Sequence, residues 1–214
     1  MAAVGERRRG IAAGVRWGVA WRGAPRQQEC GDLEVALPFP SGMLFGAVDG
    51  LGHGGEAAAA ARRALSVLKA NPAESVPSLF KLCHEALTAT RGVAMSLAAY
   101  LHGRQGEPTL SWLGVGNVEG LLVRAGPGGP PSHQSLLLRN GVVGYLMPRL
   151  SAAVIPVLPG DVLVLATDGI RSDFGELVDP VDPPQRIADR ILERCRKGWD
   201  DALVLVARFP KGAS

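Results

Sequence analysis

Four acidic residues lie at the ends of apolar segments of the chain: Asp32, Asp49, Asp168 and Asp200. Asp168, for example, follows the apolar run from Val162 to Thr167, and Asp200 precedes the run from Ala202 to Ala207. An unpaired carboxylate at the end of a buried strand is costly, so acids gathered there usually share a cation or stay in water. Carboxylates are also the ligands that Mg²⁺ and Mn²⁺ prefer. The pattern therefore predicts a divalent metal site.

The stretch from Ala47 to Gly55 combines one carboxylate, Asp49, with one imidazole, His53, in a glycine-rich sequence. It follows an apolar run and leads into the alanine-rich segment from Glu56 to Ala70, which predicts a strand, a loop and a helix in that order. Asp-Gly is also a common turn dipeptide, and for any single acid a turn is the simpler interpretation. The joint pattern of four acids at strand ends favours a functional site over four separate turns.

Six short motifs follow one another along the chain: Gly31-Asp32, Asp49 to Gly54, Thr90 to Gly92, Gly114 to Val118, Ala166 to Gly169 and Asp200 to Leu203. In this order they resemble the metal-dependent serine/threonine protein phosphatases of type 2C, the PPM family, and within it the small bacterial SpoIIE-type branch. The resemblance extends from about Gly14 to Phe209. It is specific as an ordered set and weak for any motif alone.

The resemblance implies which residues bind metal. Five residues would hold two Mn²⁺ or Mg²⁺ ions: Asp32, Asp49, the carbonyl of Gly50, Asp168 and Asp200. Asp49 would bridge the two ions, Asp168 and Asp200 would hold one of them from the other side, and Asp32 would contact the second directly or through water. Asp201 would lie beside the ligands without binding metal.

The resemblance also implies catalysis by metal-activated water rather than by a protein nucleophile. Two divalent cations can lower the pKa of a shared water and stabilise charge on the attacking and leaving oxygens. Cys30, Cys83 and Cys195 lack the context of a catalytic thiol, and the chain has no Gly-x-Ser-x-Gly sequence. Direct attack of water on phosphorus is therefore expected.

The chain departs from the family pattern at several positions. Where eukaryotic members carry a phosphate-binding arginine, this chain has Gln27 and Gln28, with Arg26 just upstream. Asn117 stands where many relatives have an acid linked to a third metal, so two metals are expected. No acidic residue occurs from 126 to 160, and the Gly- and Pro-rich segment from Gly126 to Pro131 predicts a loop.

His53 has two possible roles. An imidazole titrates near neutral pH and could protonate the leaving serine oxygen, which makes His53 a candidate catalytic residue beside Asp49. Alternatively, His53 only shapes the glycine loop. The other histidines, His84, His102 and His133, show no ligand spacing and are expected to be structural or surface residues.

Composition favours a single enzyme domain over residues 1–214, with a core from about 14 to 209. The chain has 214 residues, 47% of them hydrophobic, enough to bury a substantial core. The sequence predicts a cytoplasmic protein, because its three cysteines lack paired spacing, no apolar run is long enough to span a membrane and no signal peptide is recognised.

The net charge is +3, but 20 acids are spread among 23 basic residues. The short basic run Arg7 to Arg9 is interpreted as a solvated tail, and no nucleic acid or membrane partner is expected.

The apolar pattern predicts an α+β fold. Val15, Trp17, Val19 and Trp21 alternate as in a half-buried strand. Further strands are expected at 93–101, 110–115, 119–123, 135–138, 153–158, 162–167 and 202–209, and helices at 56–70, 72–90 and 184–196. Grouped strands with few helices indicate α+β. The resemblance implies a four-layer α-β-β-α sandwich, with two stacked antiparallel sheets between helices.

The function that follows from the resemblance is a metal-dependent phosphoserine/phosphothreonine protein phosphatase. Its expected substrates are phosphorylated STAS-domain proteins of the RsbS and RsbR type, in a bacterial stress-signalling complex, the stressosome. Two alternatives stay open: a catalytically silent phosphatase fold that binds a partner, and a general hydrolase of small phosphoesters. The retained acids count against the silent fold.

Overall fold

The computed structural model describes residues 8–103, 107–124 and 132–210. These residues form the following strands: β1 Arg8–Ala12, β2 Val15–Arg22, β3 Asp32–Phe39, β4 Gly42–Gly50, β5 Val93–Leu101, β6 Thr109–Val115, β7 Glu119–Arg124, β8 Ser132–Ser135, β9 Leu138–Arg139, β10 Ala153–Pro156, β11 Val162–Ala166 and β12 Ala202–Arg208. The helices are α1 Gly55–Ala70, α2 Val76–Leu87 and α3 Pro184–Cys195, with a short 3-10 helix at Ser172–Leu177.

The strands form two sheets. Sheet A has the order β1-β2-β12-β11-β7-β8, and sheet B has the order β10-β6-β5-β4-β3. All of these pairs are antiparallel, whereas the two-residue strand β9 pairs with β6 in parallel. The α+β class and the antiparallel character of both sheets are confirmed, with β9 as a short exception.

Three hydrophobic clusters show how the layers stack. The first lies between the sheets and joins Val19 and Leu205 of sheet A to Phe45 and Trp112 of sheet B. The second joins sheet B to α1 and α2 (Leu44, Leu97, Ala61, Leu79 and Phe80), and the third joins sheet A to α3 (Val164, Val204, Ile187 and Ile191). Each sheet therefore buries both faces, and the four-layer α-β-β-α sandwich is confirmed.

The helices follow their sequence signals. The buried face of α1 consists of five alanines and Leu68, and such small side chains let the helix lie close to sheet B. Helix α2 begins later than predicted, at Val76, because Ser75 caps it: the Ser75 hydroxyl accepts a hydrogen bond from the Ser78 backbone N–H at 3.3 Å. It also ends earlier, at Leu87. Helix α3 agrees with the prediction within one residue.

Two parts of the sequence interpretation are wrong. Arg8 and Arg9 are not a solvated tail, because they begin the edge strand β1, where Arg8 forms an ion pair with Glu34 at 2.6 Å. The segment from 135 to 138 is not one strand: β8 ends in sheet A at Ser135, and β9 begins in sheet B at Leu138. Arg7 and the segment from Gly126 to Pro131 lie outside the described residues. Within the described residues no helix has both the length and the apolar character needed to cross a membrane.

Candidate active site

Asp32 and Asp49 lie at one end of sheet B. Asp32 is the first residue of β3, Asp49 is the penultimate residue of β4, and the antiparallel register places them opposite each other. The turn interpretation is therefore wrong for Asp49, which belongs to a strand paired on both sides, to β3 and β5. Two neighbouring carboxylates at a strand end need a reason other than turn geometry.

Asp168 and Asp200 lie at the corresponding end of sheet A. Asp168 follows β11 and Asp200 precedes β12, and these two strands are antiparallel neighbours. The Thr167 hydroxyl links the sheets, because it donates a hydrogen bond to the Asp32 carboxylate at 2.6 Å. The structure therefore brings the four predicted acids from both sheets to one end of the sandwich.

An open cleft of about 410 Å³ lies at this end. Its lining includes three of the four acids and His53; the lining residues are Ala24, Pro25, Gln27, Asp49, Leu51, Gly52, His53, Asn117, Asp168, Trp199 and Asp200. Asp32 does not line the cleft and is only 4% exposed. The acids therefore form a solvent-accessible wall with one buried carboxylate behind it.

The glycines of the two Asp-Gly pairs are required by close backbone approach. A Cβ atom at Gly50 would lie 2.1 Å from the Ala57 carbonyl oxygen of α1, and one at Gly169 would lie 1.9 Å from the Asp201 carbonyl oxygen. No side chain fits at either position. Because these glycines have no side chain, α1 and the segment before β12 can lie close to the acids. The glycines therefore help to shape the cleft.

Burial and the charges of neighbouring carboxylates raise the pKa values of Asp32, Asp49 and Asp168. Burial raises the pKa of Asp49 to about 8, with further contributions from the negative charges of Asp168, Asp200 and Asp201. Burial and the charge of Asp49 also raise the pKa of Asp32, although the hydrogen bond from Thr167 opposes this shift. Every charged group that shifts the pKa of Asp49 is another carboxylate. The site therefore has an excess of negative charge that a cation would neutralise.

The donor set fits a divalent cation. Mg²⁺ typically binds through one or two carboxylates and keeps several waters, and carboxylate and carbonyl oxygens also suit Mn²⁺. The acids surround the cleft rather than close on one point: among the described residues, no three Asp, Glu, His or Cys side chains are arranged to hold a metal ion alone. Water or a backbone carbonyl such as that of Gly50 would have to complete the coordination.

Two polar residues position the acids, and the sequence analysis gave neither of them this role. Thr167 donates to Asp32 and also accepts a hydrogen bond from the Leu203 backbone N–H at 2.8 Å. Asn117 donates to Asp168 at 2.7 Å, and this bond lowers the pKa of Asp168 against the larger effects of burial and Asp200. Both residues lie in the recognised motifs, but only their tertiary contacts show what they do.

Asp201 holds the loop that precedes β3. Its carboxylate accepts hydrogen bonds from the backbone N–H groups of Ala24 and Gly31, both at 2.6 Å, and the residue is 5% exposed. A carboxylate that accepts backbone donors on both oxygens is well satisfied without a cation. Asp201 therefore has a structural role in holding this loop, and its expected place beside the metal ligands stays a prediction.

His53 and Gln27 both line the cleft, and the Gln27 amide nitrogen lies 3.5 Å from His53 Nδ1. Gln27 therefore lies beside the candidate catalytic histidine, in the stretch where eukaryotic members of the family carry a phosphate-binding arginine.

His84 has a structural contact, because its Nδ1 accepts a hydrogen bond from the Gly144 backbone N–H at 2.9 Å. Burial, with the nearby charge of Asp32, raises the pKa of the Cys30 thiol far above neutrality, which disfavours a thiolate nucleophile beside the site.

The comparisons with solved structures agree with this architecture. One similar chain comes from work on the bacterial stressosome, described as a modular system adapted to control secondary messenger signaling; it is 27% identical, with a TM-score of 0.79, covering 91% of this chain and 99% of that one. RsbX in complex with magnesium is 17% identical, with a TM-score of 0.81 and coverage of 95% and 99%. The PP2C phosphatase domain of SpoIIE from Bacillus subtilis, solved with a fragment of its regulatory domain, is 17% identical, with a TM-score of 0.71 and coverage of 98% and 66%.

The sequence comparison identifies the family. No curated protein matches the chain in sequence. The family described as Stage II sporulation protein E (SpoIIE) matches residues 40–210, which contain Asp49, Asp168 and Asp200. With this match over most of its length and with the fold of PP2C-type serine/threonine phosphatases, the chain belongs to the SpoIIE family of protein phosphatases.

Proposed function

We propose that this protein is an RsbX-like, Mn²⁺- or Mg²⁺-dependent phosphoserine/phosphothreonine phosphatase that acts on STAS-domain proteins of a bacterial stress-signalling complex. The carrying observation is the meeting of four carboxylates from two sheets at one end of the sandwich, where three of them line an open cleft and the pKa values of Asp32, Asp49 and Asp168 are raised. In this proposal the chain is one phosphatase domain that works in the cytoplasm.

The proposed metal ligands are Asp32, Asp49, Asp168, Asp200 and the Gly50 carbonyl. When bound, two divalent ions would supply an activated water and stabilise negative charge on the phosphoryl oxygens. The chain itself prepares the ligands: Asn117 orients the Asp168 carboxylate, and Thr167 fixes that of Asp32. Asp201 keeps the loop from Ala24 to Gly31 in place along the cleft.

We assign His53 to the leaving serine or threonine oxygen, which needs a proton to leave as an alcohol. His53 is exposed in the cleft wall, where a bound phosphoresidue can reach it. If Gln27 donates to His53 Nδ1, the imidazole carries its proton on Nε2, the nitrogen that can then act on the leaving oxygen. Gln27 would orient the ring in this arrangement.

The STAS-domain substrate is supported by two similarities. The chain that comes from work on the bacterial stressosome is 27% identical over nearly its whole length, and RsbX shares the fold over 99% of its own length. The net charge of +3 also suits a partner that carries a phosphate. Because the cleft is open and its wall contains apolar as well as acidic residues, docking should use the surface around the cleft.

The proposal is tested by assaying the purified protein on p-nitrophenyl phosphate and on a serine-phosphorylated STAS domain, with EDTA and with added Mn²⁺. We expect no hydrolysis of either substrate in EDTA and recovery on addition of Mn²⁺. Full activity in excess EDTA, with no tightly held metal found by elemental analysis, would refute the metal requirement. Binding of the STAS domain without turnover in any divalent ion would favour a silent binding module, and turnover of p-nitrophenyl phosphate alone would favour a general phosphoester hydrolase.

A further inference from the structure

Trp199 is an exposed tryptophan in the wall of the acidic cleft. It is 74% exposed, whereas Trp112 is 2% exposed and Trp17 and Trp21 are partly buried. All four tryptophans lie in the part of the chain that the structure describes, and Trp199 is the one directed mainly to solvent. An indole in water leaves a large apolar surface unburied.

The backbone on both sides of Trp199 is held in place. The Lys197 backbone N–H donates to the Gly169 carbonyl at 2.8 Å, and the Asp200 carboxylate accepts from the Asp201 backbone N–H at 2.9 Å. Between these contacts Gly198 has a φ of +95°, which favours glycine, and a Cβ atom there would meet no atom within 4 Å. The bend therefore presents the indole beside Asp200 without packing it against the protein.

The position of Trp199 in the cleft wall places it where the surface of a bound phosphoprotein would lie. Single exposed apolar side chains are common, so exposure alone indicates little. Trp199, however, shares the cleft wall with Asp49, Asp168 and Asp200, where a substrate phosphate would bind, and the same wall contains the apolar residue Leu51. A phosphoresidue bound there would bring the neighbouring surface of its own protein against the indole.

We propose that Trp199 determines specificity by packing on the apolar surface next to the phosphorylated residue of a folded protein substrate. This inference rests on the proposed phosphatase function. Tryptophan often dominates the binding energy of protein interfaces, because it buries a large rigid surface at low entropic cost. A small phosphoester offers no such surface, so the indole favours phosphoproteins over small phosphoesters.

The test compares the parent protein with Trp199→Ala, Trp199→Phe and the control Tyr145→Ala. Tyr145 is 84% exposed and lies outside the cleft lining. For each protein, kcat and KM are measured with Mn²⁺ on p-nitrophenyl phosphate and on a serine-phosphorylated STAS domain. The readout is the ratio of the two kcat/KM values, the phosphodomain over the small phosphoester, together with Tm and the Mn²⁺ concentration at half activity.

We expect Trp199→Ala to lower this ratio at least about 10-fold, mainly through a higher KM for the phosphodomain. Trp199→Phe should recover most of the loss, and Tyr145→Ala should match the parent. An unchanged ratio in Trp199→Ala, or an equal loss on both substrates with a shifted Mn²⁺ requirement, would overturn the inference while leaving the phosphatase function intact. A parent protein that turns over neither substrate would instead refute the proposed function, and this role of Trp199 with it.

Discussion

Asp32 and Asp49 lie directly opposite each other in the antiparallel register of β3 and β4. Two carboxylates so placed repel each other, and burial adds to the cost of ionising either one. Most strands avoid such a pair, because like charges directly across a sheet are destabilising. The chain therefore keeps two mutually repelling carboxylates at the end of sheet B, an arrangement that a bound cation would relieve.

The variant Asp49→Asn tests whether this carboxylate is a metal ligand. Asparagine keeps the size of the side chain and removes the charge that attracts cations, so we expect a folded protein with weaker Mn²⁺ binding. Hydrolysis of p-nitrophenyl phosphate should fall by about 100-fold or more. The matched control is Asp173→Asn, which changes a half-exposed carboxylate outside the cleft lining and should keep full activity. Turnover of Asp49→Asn at the parent rate would show that the Asp49 carboxylate is not a required metal ligand.

The metal-free protein should lose stability as the pH rises from about 4 to 8. The folded-state pKa of Asp49 is about 8, above the ordinary aspartate value of 3.8. Folding therefore takes up a proton between these values, and the stability present below pH 4 is lost progressively as the pH rises through 8. Tm measured in EDTA should fall over this range, and saturating Mn²⁺ should reduce the slope.

Asp49→Asn supplies the control for this pH dependence. The amide cannot ionise, so the metal-free variant should show a weaker fall in Tm and should be more stable than the metal-free parent at pH 8. Its stability should be similar to that of the parent near pH 4, where the Asp49 carboxyl is protonated. A parent whose metal-free Tm rises between pH 5 and 8 would contradict the raised pKa.

The fold was largely predictable because most strands carry their signal locally. The run from Val93 to Leu101 is buried at all but its last residue, and its apolar sequence gave the correct bounds of β5. Strand β1 gave no such signal, because an edge strand with exposed residues at three of five positions resembles a tail. The change of sheet between Ser135 and Leu138 was also missed, since one apolar segment contributes to both sheets.

The sequence predicted which acids lie at the candidate site, but it did not predict the hydrogen bonds that support them. The motif order identified Asp32 and Asp168, but the bond from Thr167 to Asp32 joins residues 135 positions apart. The hydrogen bonds of Asp201 reach back 177 and 170 positions. These hydrogen bonds form only when the two sheets stack. The residue pattern within one segment contains no information about that stacking.

Thr167→Val tests the link between the sheets. Valine has nearly the same shape but lacks the hydroxyl that donates to Asp32 and accepts from the Leu203 backbone N–H. Leaving two buried polar groups without this partner should lower the free energy of unfolding by about 1–3 kcal/mol, measured by urea denaturation. Thr167→Ser, which keeps the hydroxyl and loses a methyl group, should cost less. If the serine variant proves the less stable of the two, packing rather than hydrogen bonding governs this position.

His53→Ala separates proton transfer from a structural role of the loop. A serine alkoxide needs a proton to leave, whereas p-nitrophenolate leaves without one. We therefore expect kcat on a phosphoserine peptide to fall about 100-fold, with a much smaller loss on p-nitrophenyl phosphate. His102→Ala, at an exposed histidine outside the cleft lining, is the control. Equal losses on both substrates would indicate that His53 only shapes the loop.

Substrate recognition should depend on a folded partner rather than on a short sequence. In place of a phosphate-binding arginine the cleft contains Gln27, and its wall includes the apolar residues Leu51 and Trp199, which offer contact to a surface that extends beyond the phosphoresidue. We expect kcat/KM for an intact phosphorylated STAS domain to exceed that for a phosphopeptide of the same local sequence by about 100-fold or more, because binding energy at a remote surface improves placement of the phosphate. Both substrates are assayed at the same Mn²⁺ concentration, with the heat-unfolded phosphodomain as a control that should behave like the peptide. Equal values for peptide and folded domain would point to a general phosphoester hydrolase.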